Sequence, residues 1–151
     1  MALWQIDFFM LPKESLQAYP FKKDDEGLFD DTPFWPKKNI DKTFFLPVND
    51  FLPQGNSWSE HVIIFGNETS HRIDLGVHPE TGKVESVSLR IDFTKPYLLV
   101  LDAILDFCIE NNLIILTNPG LEPVALNFPA LEFIIESSPQ VSRYRQFSTG
   151  I

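Results

Sequence analysis

The sequence predicts an α+β domain, and three observations carry that reading. Between residues 58 and 93, apolar and polar residues alternate in three runs separated by turn-forming residues, the pattern of an antiparallel meander. After residue 94 the period lengthens to that of an amphipathic helix, and helical spacing returns near the C-terminal end. Strands followed by helices are the order of a fold whose helices gather on one face of an antiparallel sheet. The 151 residues, 44% of them apolar, suit one domain spanning 1–151 with a single core.

Taken in order, residues 3–11 (LWQIDFFML) are rich in aromatic and β-branched types and predict a buried N-terminal strand. Pro12, Pro20, Pro33, Pro36, Pro47 and Pro53 then break the chain repeatedly, so 12–53 is read as an irregular segment with at most a short helix near 40–51. Its many Phe, Tyr and Trp residues are too much apolar surface to leave in water, and the segment should wrap over the domain. The meander follows as 58–65, 71–77 and 84–93. Matching apolar faces places Val77 opposite Val87, Leu75 opposite Leu89 and Ile73 opposite Ile91, which sets Asp74 against Arg90 and Arg72 against Asp92. A phase change between Val84 and Val87 predicts a bulge near Glu85 and Ser86.

Thr94 offers an N-cap and Pro96 a first-turn residue for a helix over 95–111. Its apolar stripe is Leu98, Leu101, Ile104, Leu105 and Cys108. A short strand at Leu113 to Leu116, a turn at Asn118-Pro119-Gly120, an edge strand over 121–127 interrupted by Pro123, and helices around 129–136 and after Pro139 complete the chain.

The charge excludes some partners. Twelve Lys+Arg against 21 Asp+Glu leave a formal net charge of −9, the wrong sign for nucleic acid or an anionic membrane surface. The start of the chain has no basic region before its apolar run, and the longest apolar stretch, Pro96 to Ile109, falls short of the roughly 20 residues of a membrane span. One cysteine, Cys108, cannot form an internal disulfide, which points to a reducing, cytoplasmic setting. His61, His71 and His78 lack metal-ligand spacing and read as surface or hairpin residues, so neither a metal nor another cofactor is expected. The sequence has no nucleotide-binding or nucleophile-elbow motif, and no catalytic residues are assigned. Asn67-Glu68-Thr69 fits a glycosylation acceptor but reads as a turn.

The acidic residues are more informative. Asp102, Asp106 and Glu110 recur at i, i+4 spacing on the predicted helix, a mildly unfavourable ridge of like charge that a basic partner would offset. Asp24, Asp25, Glu26, Asp30 and Asp31 put five carboxylates into eight residues. Either set could bind a basic protein, with Trp35 or Phe29 beside it as an aromatic anchor.

The order of features also carries a resemblance. A W-x-I-D-F segment at Trp4 to Phe8, Trp35-Pro36 in a proline-rich stretch, GKVESVSLRIDF at 82–93 with a helix starting at its end, and Ser137-Ser138 near a C-terminal helix resemble small bacterial immunity proteins of polymorphic-toxin systems. That resemblance implies a cytosolic, non-enzymatic inhibitor that neutralises a cognate toxin, often a basic nuclease, by direct contact. The alternative is an α+β domain that binds a small molecule, or acts as an enzyme, through a pocket lined by the aromatics of residues 4–51.

Overall fold

The computed structural model describes residues 4–31, 33–67 and 69–148. Leu3, the expected start of the first strand, and Glu68 of the Asn67-Glu68-Thr69 turn lie outside them. The α+β architecture is as expected. Five strands, β1 (Gln5–Pro12), β2 (Val62–Gly66), β3 (Arg72–Val77), β4 (Val84–Asp92) and β5 (Leu113–Thr117), form one antiparallel sheet in the order β2-β3-β4-β1-β5. Three helices, α1 (Leu98–Glu110), α2 (Phe128–Glu136) and α3 (Pro139–Ser148), follow the meander, with β5 between α1 and α2. Among the described residues no helix is long and apolar enough to cross a membrane.

Alternation along the strands sorts the two faces. Phe65, Ile73, Leu75, Val87, Leu89, Ile91, Ile6, Phe8, Met10 and Ile115 share one face through the ladder register, and all are buried. The stripe Leu101, Ile104, Leu105 and Cys108 of α1, with Leu131 and Ile135 of α2 and Val141 of α3, joins the same core. Each fully buried aliphatic side chain contributes roughly 1.5–3 kcal/mol relative to exposure, so this layer is where the fold's stability concentrates. Asn127 caps α2 by accepting the Ala130 N–H at 2.9 Å, and Pro129 sits in its first turn.

β1 runs between β4 and β5, but not along the whole of both. Its ladder with β4 ends at Phe9↔Ser88, whereas its ladder with β5 spans Phe8↔Thr117 to Pro12↔Leu113. A wedge therefore opens beside the first half of β4, and the proline-rich segment fills it. Met10 and Val87 would be the next ladder partners. Instead the Trp35 indole N–H donates to the Met10 carbonyl at 3.0 Å, and the Asp31 carboxylate accepts the Val87 N–H. Further along, Val84 donates to Ile40, Lys42 donates to Gly82, and Asp41 bridges Lys83. Short 3-10 turns at Lys13–Ala18, Pro36–Lys38 and Lys42–Asp50 shape the segment; the last occupies the region where a short helix was expected. Phe29 packs on Phe9 of the sheet's second face at 5.0 Å between ring centroids, whereas Phe45 packs on Phe107 of α1 at 5.5 Å. The segment thus crosses from one face of the sheet to the other through the wedge.

The meander exists, but its register is a correction. Ile73 faces Leu89 and Leu75 faces Val87, two residues from the expected pairing, so Arg72 meets Arg90 and Asp74 meets Ser88. A slip of two residues keeps every side chain on its face, so alternation cannot detect it. The turn decides: His78 N–H donates to the Lys83 carbonyl, Val77 pairs with Val84, and the expected bulge falls on Glu85. The charges are satisfied elsewhere. Arg72 grips Asp74 on its own strand, with Nε 2.8 Å from Oδ1, and Arg90 reaches Asp7, its neighbour on β1, at 3.3 Å. Burial nonetheless raises the Asp74 pKa, outweighing the pull of Arg72.

Three smaller expectations also change. Thr94 is not the cap of α1: the Asp92 carboxylate binds its N–H and hydroxyl, His71 Nε2 holds the Pro96 carbonyl at 2.7 Å, and the helix begins only at Leu98. His71 is accordingly buried rather than superficial, with Nδ1 accepting the Asp92 N–H at 3.1 Å. The edge strand over 121–127 reduces to one bridge, Leu116↔Pro123, since proline cannot continue the ladder.

Candidate functional site

The first candidate site lies on α1. At about 100° per residue, positions 101, 104, 105, 107 and 108 turn towards the sheet, and all five are buried. The opposite arc carries Asp102, Asp106 and Glu110, all exposed, so the predicted ridge exists on a rigid helix. None of the three takes part in an ion pair among the described residues.

The apolar residues of the same arc were not foreseen. Leu98 is 53% exposed, Leu99 86% and Ile109 55%; Leu99 falls within the arc of the acids, and Leu98 and Ile109 border it on the side of Leu105. Leu98, expected in the buried stripe from its spacing, is instead exposed in the first turn of α1. A signal was present: LLVLDAILDFCIE is almost wholly apolar apart from three acids, more than one buried stripe requires. Isolated exposed leucines are ordinary. Three large aliphatic side chains beside three carboxylates on the outer side of one helix form a mixed surface that water serves poorly.

The second acidic set is dispersed. Asp24 closes a tight turn, its carboxylate accepting the Glu26 N–H at 2.9 Å and the Leu28 N–H at 2.8 Å, with Gly27 at φ +79°. Asp25 and Asp30 are exposed. Asp31 is half-buried against β4, where loss of water pushes its pKa up to about 6 despite the hydrogen bond from Val87. Trp35, expected as an exposed anchor, is fully buried in the wedge, and Phe29 packs among Phe9, Phe21 and Phe34. Because Phe29 anchors this loop to the second face of the sheet, the loop acids and the α1 acids lie on opposite sides of the domain and form no common patch.

The aromatics of residues 4–51 mostly pack on one another or in the core. Phe21 meets Phe34 at 5.7 Å and Phe44 meets Phe45 at 5.3 Å, and between Pro20, Phe21, Phe29 and Phe34 there is a shallow depression of about 270 Å3. Cys108 is buried in apolar surroundings that push its thiol up to about 12, which makes it a poor nucleophile. Among the described residues no three His, Cys, Asp or Glu side chains come together as a metal set. Comparison of the chain with protein-family models, with curated proteins and with solved structures finds no match.

Proposed function

We propose that this chain is a non-enzymatic binding protein that recognises a basic protein partner through the exposed arc of α1. In line with the resemblance drawn from its motifs, we take that partner to be a toxin neutralised by direct contact in the cytoplasm. The observation that supports the reading is the adjacency of the exposed Leu98, Leu99 and Ile109 to Asp102, Asp106 and Glu110 on the outer side of one rigid helix. The aliphatic groups would supply contact area, and the carboxylates would supply orientation and long-range attraction. A helix whose other side is locked into the core loses little conformational freedom on binding, which favours affinity. The acids around residues 24–30, on the far side of the sheet, would act on encounter rate through the overall field.

The test begins by capturing the partner from the source cell with the tagged full chain. Binding is then measured at low and high salt for the chain itself, for the triple reversal Asp102→Lys, Asp106→Lys, Glu110→Lys, and for Leu99→Ser. The reversal should weaken binding by at least about tenfold and flatten its salt dependence, while Leu99→Ser should weaken it similarly at every salt concentration. If both variants fold and bind unchanged, the α1 arc is not the interface.

A further inference from the structure

A second surface, separate from α1, has the form of a small-molecule site. Between the β1–β5 pair and the α2–α3 junction lies an open cleft of about 500 Å3, within the range typical of ligand sites. Its buried base is Ile6 and Phe8 of β1, with the half-buried Ile134 of α2 beside them. Asn118, Gln140 and Arg143 also line it, and Asn118 and Arg143 are exposed at its mouth. Asp7 passes between Ile6 and Phe8, but alternation sends its carboxylate to the other face of the sheet, where it pairs with Arg90. Asp7 still contributes to the cleft lining, with its carboxylate held in the ion pair with Arg90.

The polar residues of the mouth are uncommitted. Glu136 is paired with Arg145, yet no hydrogen bond or ion pair forms on the side chains of Asn118, Gln140 or Arg143 among the described residues. One arginine and two carboxamide residues, without intramolecular partners among the described residues, thus line a cleft with an apolar base, in a chain whose net charge is −9. The guanidinium fork matches a carboxylate in two parallel hydrogen bonds, and a single cation is too little for a phosphate dianion in so acidic a protein.

We infer that this cleft binds a small monocarboxylate with an apolar body, the body resting on Ile6, Phe8 and Ile134 and the carboxylate held by Arg143. The carboxamides of Asn118 and Gln140 complete the donor set. This inference uses a different surface from the partner-binding reading and stands or falls separately from it.

The probe is 3-phenylpropionate, titrated into the isotopically labelled full chain and followed by amide chemical shifts, with calorimetry for stoichiometry. The alcohol 3-phenylpropanol and inorganic phosphate serve as controls. Saturable one-to-one binding is expected, with shifts confined to residues around 6–8, 117–119 and 134–143. The alcohol should bind at least about tenfold more weakly and phosphate not at all. Arg143→Gln should reduce affinity for the acid to the level of the alcohol, while Arg143→Lys should retain part of it. Arg143 is exposed on α3, so both variants should fold, and their spectra check this. The inference is overturned by the absence of saturable shifts, by equal binding of acid and alcohol, by phosphate competing with the acid, or by full affinity in Arg143→Gln.

Discussion

Replacing Asp31 with asparagine exchanges a carboxylate for a neutral amide of the same shape at the point where β1 and β4 part. The wild-type group accepts the Val87 N–H but loses much of its hydration, and burial raises its pKa from 3.8 to about 6, with the neighbouring Asp30 charge adding to the rise. In the folded chain the proton is therefore held more tightly than in the unfolded chain. It follows that Asp31's contribution to stability is fullest below about pH 4 and is lost as pH rises through 6. The full shift corresponds to about 3 kcal/mol. Because the side chain is only half-buried, solvent screening reduces this to about 1–2 kcal/mol. Asparagine keeps an acceptor for Val87 and has no charge to desolvate. Asp31→Asn should therefore be more stable than wild type by about 1–2 kcal/mol near pH 8 and indistinguishable from it near pH 4. Urea unfolding followed by tryptophan fluorescence across that range measures the difference directly, and other titrating groups cancel between the two proteins. A variant less stable at pH 8, or a gap that does not change with pH, would refute the assignment of Asp31 as a desolvated carboxylate.

Three further outcomes are expected. Gly66→Ala should cost at least about 3 kcal/mol in urea unfolding, because the residue sits at φ +96° and an added Cβ would lie 2.1 Å from the His71 carbonyl oxygen; a loss below 1 kcal/mol would mean the β2–β3 connection relaxes. His71→Phe leaves the Pro96 carbonyl and the Asp92 N–H without their partner, and should lower stability by about 2–4 kcal/mol. Unchanged melting would show that water replaces the imidazole there. Native Cys108 should resist an aromatic disulfide reagent near pH 8 until the chain is unfolded, since burial holds it protonated; rapid labelling of the native protein would contradict its place in the core.

What the sequence discloses here follows from what periodicity measures. Alternation in 71–77 and 84–93 reveals faces, so the apolar layer of Ile73, Leu75, Val87 and Leu89 is legible without a structure. It is silent on slips of two, and the pairing of Arg72 with Arg90 was settled by the closure of the His78–Lys83 turn. The place of β1 between β4 and β5 is a long-range choice that no local pattern encodes. Trp35 illustrates the converse difficulty: a tryptophan between prolines and charges reads as exposed, yet its indole N–H is the donor that the interrupted ladder lacks at Met10. At the candidate interface the acids were legible because charge at i, i+4 is a local signal. The exposure of Leu98, Leu99 and Ile109 was not, because it depends on where the helix begins and on which arc the sheet covers.

The two margins of the sheet bear on how any partner can approach it. Along β2, Gly55 donates to the Ile64 carbonyl, and Gly66 donates to Pro53. Along β5, Thr117 donates to Glu122, while Val124 donates to Ile115. Short extended pieces of the chain's own loops thus occupy backbone positions that an incoming strand would need. At these positions strand addition is blocked, and so is the edge-to-edge pairing of one molecule's sheet with the next. A sheet whose margins are occupied in this way leaves a visitor to read side chains rather than backbone at those positions.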